Sequence, residues 1–258
     1  MRLISIKLKS IIITGVIILC VVFSVLFMAK GLNDAVYSEN RLLPIYNVKT
    51  DESKVSLTFN VAAGGDIDKI LSILDKYNVK STFFFLGCYA EKNPEDVKKI
   101  IGAGHEAGNH SYSHKDPTLQ TEREIAEDIS KCNSLIESIS GVTPKLYRPP
   151  SGSYDNKTID GANSLGMTSI QWDVDTVDWK NISKDEIIAR VRAKTKNGSI
   201  IQLHTGTKHT AEALEEIIIY LNNKNYKLVK VSELIFTDNF YIDNCGTQIK
   251  IEQSSIIE

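Results

Sequence analysis

Cysteine is scarce in this chain and shows no pairing pattern. The 258 residues include four cysteines, and none belongs to a CxxC pair. Cys20 lies in an apolar N-terminal stretch, so an odd number remains for the rest of the chain. This disfavours a zinc–cysteine site or a disulfide framework. We interpret the cysteines as small buried thiols, and a single Cys88–Cys132 bridge stays open as an alternative.

Charge of one sign and long apolar runs are also scarce. The net charge is -2 and no basic stripe is present, which argues against nucleic-acid binding. Only one uncharged apolar run is long enough to cross a membrane, and this excludes a polytopic transporter. The absence of an HExxH pattern makes a metalloprotease a poor interpretation. The length suits one sizeable globular domain plus a short appendage. We expect the protein to be a monomer.

The N-terminal apolar run, Ile11–Ala29, predicts a membrane anchor. Its roughly 19 uncharged residues can cross a hydrocarbon core about 30 Å thick as a helix. The alternative is a cleaved signal peptide, but the run is long for one, and no clear small-x-small site precedes Lys30. Because the basic residues before the run stay in the cytoplasm, the rest of the chain lies outside. We therefore expect a single-pass protein of the cell membrane, with an anchor or signal over 1–30 and a linker over 31–53.

Beyond the linker, strand patterns alternate with helix patterns. Short apolar runs indicate buried strands, among them Val55–Phe59, Ser81–Leu86 and Ser199–Leu203. Amphipathic helices are predicted between them, as at Thr118–Ser140 and Thr210–Asn222. Such alternation predicts βα units around a parallel sheet. About seven strands suit an incomplete barrel, so we expect an α/β domain over 54–235 with a distorted, TIM-like (β/α) barrel, followed by a polar tail over 236–258.

Five polar clusters follow predicted strands, where functional residues of parallel α/β folds lie. In chain order they read TFN (58–60), HSYSH (110–114), RPPSG (148–152), DVDTVDW (173–179) and LH (203–204).

The histidines of these clusters indicate two kinds of chemistry. His110 and His114 are four residues apart, can face the same way on a helical turn and can share a metal ion such as Zn²⁺. Taken alone, the pair favours two surface histidines, because no third ligand lies beside it. His204 ends a buried strand and is either a general acid or a satisfied core-edge histidine. We interpret His105 as structural.

The arginine and the acids are ambiguous when taken alone. Arg148 lies on a corner made rigid by prolines, where its guanidinium can orient a carboxylate or amide, but a solvated surface arginine is the better interpretation by itself. The three acids of the fourth cluster are either a solvated loop or side chains that orient a histidine or an arginine.

In order and spacing, the five clusters resemble the motifs of the polysaccharide deacetylase family, also called the NodB-homology fold or carbohydrate esterase family 4. The resemblance covers Val55–Leu234, and the sporulation-associated branch of Gram-positive bacteria is the nearest group. It implies a distorted barrel that binds a divalent metal, usually zinc, and hydrolyses acetamido groups of N-acetylated cell-wall glycan, here peptidoglycan.

The resemblance also implies roles for single residues. His110 and His114 match the metal ligands, and His204 matches the general acid that protonates the leaving amine. Asp175 matches the acid that orients this histidine, and Arg148 the arginine that tethers the base. Trp179 and Leu203 match apolar walls around the acetyl group.

The first cluster departs from the family pattern of two aspartates, a catalytic base and then a metal ligand. Asn60 and Val61 stand at these positions. An amide has no basic site comparable to a carboxylate, and valine cannot bind a metal. Asp66 or Asp68 could swing in as a replacement ligand. Two hypotheses follow: a metal-dependent deacetylase with an altered first motif, or an inactive glycan-binding or scaffold domain.

Overall fold

A computed structural model of the chain describes residues 15–25 and 41–251. The chain divides into two compact units, one up to Leu42 and one from Leu43 onward. In the first unit, helix α1 is described over residues 15–25, and its side chains are exposed. The remaining residues of the predicted anchor and residues 31–40 of the predicted linker lie outside the described residues. Within the two described ranges, no helix has the length and apolar character needed to cross a membrane.

The second unit contains short strands alternating with helices. The strands are β1 (Asn47–Val48), β2 (Lys54–Val61), β3 (Thr82–Phe85), β4 (Glu106–Asn109), β5 (Leu146–Tyr147), β6 (Thr168–Ser169), β7 (Val174–Asp175), β8 (Ile200–His204), β9 (Lys227–Leu228), β10 (Phe240–Ile242) and β11 (Thr247–Lys250). The helices are α2 (Ile67–Lys76), α3 (Gly87–Lys92), α4 (Pro94–Gly102), α5 (Glu122–Ser140), α6 (Asn156–Asn163), α7 (Lys184–Lys194), α8 (Thr210–Asn223) and α9 (Val231–Leu234). Single 3₁₀ turns span Pro117–Leu119, Pro150–Gly152 and Asp178–Lys180.

The large sheet is parallel and curled into a half-barrel. Its strand order is β6-β5-β4-β3-β2-β8-β7, with β9 also pairing with β2. Apolar side chains of β2, β3 and β8 form the main core with the helices, and the Phe59 and Phe83 rings stack with centroids 4.8 Å apart. The α/β fold and the barrel-like sheet expected from the sequence are therefore confirmed.

Residues 45–48, expected to belong to a linker, instead lie against the open side of the half-barrel. The Ile45 N–H donates to the Ser169 carbonyl at 2.9 Å, and the Gln171 N–H donates to the Ile45 carbonyl at 2.7 Å. Further along, the Val48 N–H donates to the Gly198 carbonyl at 3.0 Å. The segment thus bridges β6 and β8, and it joins the folded unit before residue 54.

The polar tail is also partly ordered. Strands β10 and β11 pair antiparallel, and β11 pairs with β1 in parallel, which gives a small second sheet. The folded unit therefore extends past residue 235. Polar residues flank β10 and β11 closely, so the alternation of apolar and polar residues in these strands is too short to predict them from the sequence.

Three further elements differ from the sequence-based expectation. Helix α3 follows β3 directly, and β7 is a two-residue strand inside a loop-like acidic segment. The sequence pattern predicts a strand over Lys227–Val231, but β9 stops at Leu228. Val231 instead begins α9, where its N–H donates to the Thr82 hydroxyl at 2.9 Å. Cys88 and Cys132 are both free thiols, so no bridge joins them.

Candidate active site

A cavity of about 430 Å³ opens at the carboxyl ends of the parallel strands. Six of the residues selected from the sequence line it: Asn60, His110, His114, Asp175, Trp179 and His204. Four lining residues were missed: Ala62, Ser151, Trp172 and Gln202. Trp172 was taken as the end of a strand, and only its aromatic character beside the acidic cluster could have indicated it.

Strand register brings Asn60 and His204 together. Strands β2 and β8 are parallel neighbours in which Asn60 is paired with His204. Successive side chains of a strand point to opposite faces, so Leu203 faces the hydrophobic core, where it is fully buried. The expectation that Leu203 forms a wall of the acetyl pocket is therefore wrong.

Arg148 is fully buried beneath the cavity, so the solvated interpretation is wrong. Its Nη1 donates to Asn60 Oδ1 at 3.0 Å, and its Nη2 donates to the Gln171 carbonyl at 3.2 Å. The guanidinium carbon lies 4.0 Å from the centre of the Phe84 ring. Among the residues that the structure describes, Nε has no hydrogen-bond partner. Burial without a carboxylate beside it lowers the pKa of the Arg148 guanidinium to about 9.

The amide of Asn60 bridges Arg148 and His204. Because a guanidinium can only donate, the Asn60 oxygen faces Arg148 and its nitrogen faces the ring. That nitrogen lies 3.4 Å from His204 Nε2. The position of the expected base is therefore occupied by a donor that points at the expected acid.

The acid that orients His204 is Asp178, and not Asp175 as expected. His204 Nδ1 lies 2.7 Å from Asp178 Oδ1, and the His204 backbone N–H donates to Asp178 Oδ2 at 2.8 Å. Since the carboxylate only accepts, Nδ1 carries a proton, and Nε2 faces the cavity. Three acids lie within six positions, and no periodic pattern in the sequence indicates which of their side chains points toward His204.

Asp175 has a different role in the same loop. Its Oδ1 accepts the Val177 N–H at 2.8 Å. Val177 has φ 58, a left-handed conformation that is strained for a β-branched residue. Asp175 therefore braces the turn that presents Asp178 to His204 and Trp179 to the cavity.

His110 and His114 come together on a loop rather than on a helix. Their ring centroids are 5.1 Å apart and their planes are inclined at 81°. Nδ1 of His110 lies 2.7 Å from the Arg148 carbonyl and must donate, which leaves Nε2 as an acceptor. Burial lowers the pKa of His110 to about 3, so the ring is neutral.

Asp128 of α5 holds the histidine loop and was not found from the sequence. It accepts hydrogen bonds from the Ser111 hydroxyl and from the Tyr112 and Ser113 N–H groups. Ser111 and His114 have φ 68 and 57, so the loop adopts a conformation that needs such support. No sequence signal marks this residue, because it lies fourteen positions beyond His114 on a long helix.

A third metal ligand is missing from the residues described. The Val61 side chain belongs to the hydrophobic core. Asp68 pairs with Lys99 at 2.8 Å, and Asp66 accepts the Gly206 N–H at 2.6 Å, so neither joins the two histidines in this structure. In the described ranges, no group of three or more His, Cys, Asp or Glu could hold a metal ion. Two imidazoles alone do not fit the three-ligand centre that the family implies.

His105 lies away from the cavity, near the opposite end of the sheet. Its Nδ1 accepts the Ser81 N–H at 3.1 Å, and burial lowers its pKa to about 4. These contacts agree with a structural role.

Known proteins resemble this chain in sequence and in structure. Bacillus subtilis YlxY, an uncharacterised protein, is 42% identical over 193 residues, which cover 74% of this chain and 60% of YlxY. The peptidoglycan-N-acetylglucosamine deacetylase of Bacillus cereus is 36% identical over 72% of this chain and 70% of its own length. The chain therefore spans less than two thirds of the first relative.

A solved structure has the same fold. BA3943 of Bacillus anthracis, described as a CE4 family pseudoenzyme, superposes with a TM-score of 0.72 at 37% identity, over 74% of this chain and 68% of its own. A mutant of BA3943, described as having restored enzymatic activity, gives the same TM-score. The family profile described as polysaccharide deacetylase matches residues 47–170. With its half-barrel, its clustered motif residues and these relatives, the chain belongs to the polysaccharide deacetylase family.

Proposed function

We propose that this domain binds N-acetylated cell-wall glycan in the cavity and hydrolyses its acetamido groups only very slowly. One observation carries the proposal: Asn60 fills the position of the catalytic base and bridges Arg148 and His204. An amide cannot accept a proton at neutral pH. General-base catalysis contributes about 10²–10⁴-fold, so its loss alone predicts a large deficit.

The cavity keeps features suited to a sugar. Trp172 and Trp179 line it, and aromatic faces bury the apolar faces of pyranose rings well. The contact of His204 Nε2 with Asn60 Nδ2 is long, at 3.4 Å, and the N–H of a bound acetamido group can displace it. The Bacillus cereus relative is a peptidoglycan-N-acetylglucosamine deacetylase, which supports an N-acetylglucosamine polymer as the class of ligand.

The second candidate is a metal-dependent deacetylase with an altered first motif. The His204–Asp178 pair favours it, because a domain that only binds glycan has little use for an oriented acid. In that case His110 and His114 would hold a divalent metal, Zn²⁺ by analogy with the family, with fewer protein ligands than usual.

The place of action is part of the proposal. The basic residues before the apolar run over 11–29 support a chain held in the cell membrane with its second unit outside. Nearby wall glycan would then be within reach. Membrane fractionation, with protease accessibility of the second unit in intact cells, tests this placement.

Binding and turnover are measured on the full-length chain in detergent. The two tryptophans of the sequence both line the cavity, so intrinsic fluorescence reports its occupancy directly. We expect tetra-N-acetylchitotetraose to change this fluorescence saturably, and acetate release from peptidoglycan to stay near background with Zn²⁺, Co²⁺ or chelator. A His110→Ala variant serves as the control.

Metal-dependent acetate release that is lost in His110→Ala would favour the second candidate. Absence of both binding and acetate release would contradict both.

A further inference from the structure

The buried carboxylate of Asp178 needs more than one donor. Its side chain is fully buried, with no lysine or arginine within ion-pair distance among the described residues. A buried charge of this kind is tolerated only when hydrogen bonds satisfy its oxygens. His204 supplies two donors, its ring Nδ1–H and its backbone N–H. A third donor to this carboxylate is the hydroxyl of Thr210, a residue outside the five motif clusters.

We propose that Thr210 is a positioning residue for His204 and acts through Asp178. Its hydroxyl donates to Asp178 Oδ2 at 2.5 Å, and the residue is fully buried. With Oδ2 held by Thr210 and the His204 N–H, the carboxylate plane is fixed and Oδ1 faces the His204 ring. Fixing Oδ1 in turn fixes the tautomer and the direction of Nε2 in the cavity.

The direction of each proton follows from donor and acceptor capacity. Asp178 only accepts, so the single hydroxyl proton of Thr210 is directed to it. The Thr207 hydroxyl also contacts the Thr210 hydroxyl, and must therefore donate to it. Thr207 Oγ1 accepts the Thr210 backbone N–H at 3.3 Å in return. A relay of hydrogen bonds thus runs from Thr207 through Thr210 and Asp178 to His204.

Thr210 is anchored independently of this relay. It is the first residue of the fourteen-residue helix α8, whose N-terminal end carries partial positive charge. A rigid helix end gives the hydroxyl a fixed position beside the carboxylate. The positioning role concerns His204 itself and does not need metal or turnover, but its consequence for ligand affinity rests on the proposed function.

The test uses the full-length chain in detergent with ¹⁵N-labelled histidine. The sequence has five histidines, and a His204→Gln variant assigns the His204 signals. Thr210→Val removes the hydroxyl and nearly preserves shape, whereas Thr210→Ser keeps it. We expect the downfield Nδ1–H resonance of His204 to shift or disappear in Thr210→Val and to be restored in Thr210→Ser. Thr207→Val should produce a smaller change in the same direction.

Affinity for tetra-N-acetylchitotetraose is measured on the same variants by tryptophan fluorescence. We expect a loss of about threefold to tenfold in Thr210→Val and recovery in Thr210→Ser. If the unmodified chain binds no oligosaccharide while the resonance still changes, the proposed function fails and the positioning role stands. An unchanged His204 resonance in Thr210→Val, with only a lowered melting temperature, would overturn the proposal. If Thr210→Val does not fold, an unchanged resonance in Thr207→Val would overturn it.

Discussion

The two sides of the cavity differ in the acids they contain. On one side, His204 has an oriented partner in Asp178, and both oxygens of that carboxylate accept hydrogen bonds. On the other side, His110 and His114 line the cavity together with Asn60, and Val61 follows Asn60 on β2. We call these the acid side and the base side. The acid side has the groups that proton transfer needs, whereas the base side lacks both carboxylates.

The supporting contacts are nevertheless present on both sides. Arg148 still reaches the first-motif position, and Asp128 still braces the histidine loop. Asparagine has the shape of aspartate and accepts from the same guanidinium, and Val61 packs into the core. Both carboxylates can therefore be absent without disturbing the fold. Positioning contacts and reactive groups are separable in this site.

The largest expected effect comes from rebuilding the base side. The double variant Asn60→Asp, Val61→Asp should gain tight Zn²⁺ binding by calorimetry and raise acetate release from peptidoglycan by about 10²-fold or more. Val61 packs into the apolar core, so an aspartate there costs stability until the end of β2 turns its side chain toward the two histidines and metal binds. Zn²⁺ at about 100 times its Kd should raise the unfolding free energy of the double variant by about 2.7 kcal/mol.

Val61→Asp alone is the matched control for this gain. It should bind Zn²⁺ without comparable acetate release, because Asn60 still cannot act as a base. A double variant that binds Zn²⁺ tightly and remains inactive would show that the acid side is defective as well.

The second prediction separates two acids of the acid side. In the double-variant background, Asp178→Asn should lower acetate release by about 10²–10⁴-fold, since an amide no longer fixes the His204 tautomer. Asp175→Asn should change it by less than about tenfold, because its carboxylate contacts a backbone N–H instead of the ring. Steady-state kinetics at neutral pH distinguish them, and the reverse ranking would restore Asp175 as the orienting acid.

The third prediction concerns folding stability as a function of pH, which sets the pH range in which the two sides can be compared in a folded protein. The pKa of buried His105 is about 4 in the folded chain and about 6.5 when unfolded. The unfolded state therefore binds more protons between these values, and stability falls as pH drops from about 6.5 to about 4, by up to about 3 kcal/mol. Neutral His110 adds an effect of the same sign.

Urea unfolding at pH 7 and pH 5 measures this dependence. The His105→Gln variant retains an acceptor for the Ser81 N–H and does not titrate, so its stability should change less between the two pH values. Equal pH dependence in the variant and the unmodified chain would exclude His105 as a cause.

The sequence predicts those parts of the site that depend on strand ends and on residue type. Asn60 and His204 were found because each ends a buried parallel strand, and such ends meet at one edge of a sheet. The choice between Asp175 and Asp178 failed, because it depends on a left-handed turn at Val177 that local propensity disfavours. The predicted role of Leu203 was wrong because it was transferred from the family. Neighbouring residues of β8 point to opposite faces, so Leu203 and His204 cannot both face the cavity.

The burial of Arg148 and the placement of residues 45–48 also could not be predicted from the sequence. Arg148 reads as a surface residue until its stacking on Phe84 and its bond to Asn60 are visible. Residues 45–48 read as a linker because four residues carry too little periodicity to show that they bridge β6 and β8. Both depend on contacts between segments that are distant in the chain.

The smallest expected effect is on stability, and it measures the cost of burying the Arg148 charge on the base side without a carboxylate partner. Because burial lowers the pKa of its guanidinium to about 9, below the unfolded value of about 12.5, the charged form costs the folded state stability at neutral pH. Asn60→Asp places a carboxylate where the amide now accepts, so thermal unfolding at pH 7 should show a gain of about 1–2 kcal/mol.

Asn60→Leu is the opposite substitution at the same position. It removes the acceptor and leaves a buried donor of Arg148 unpaired, so it should lower the unfolding free energy by about 1–3 kcal/mol. A gain in one variant and a loss in the other would show that the base side lost a charge partner along with its base. If both variants were destabilised alike, the two aromatic rings near Arg148 would be sufficient compensation for its charge, and the base side would be as well satisfied as the acid side.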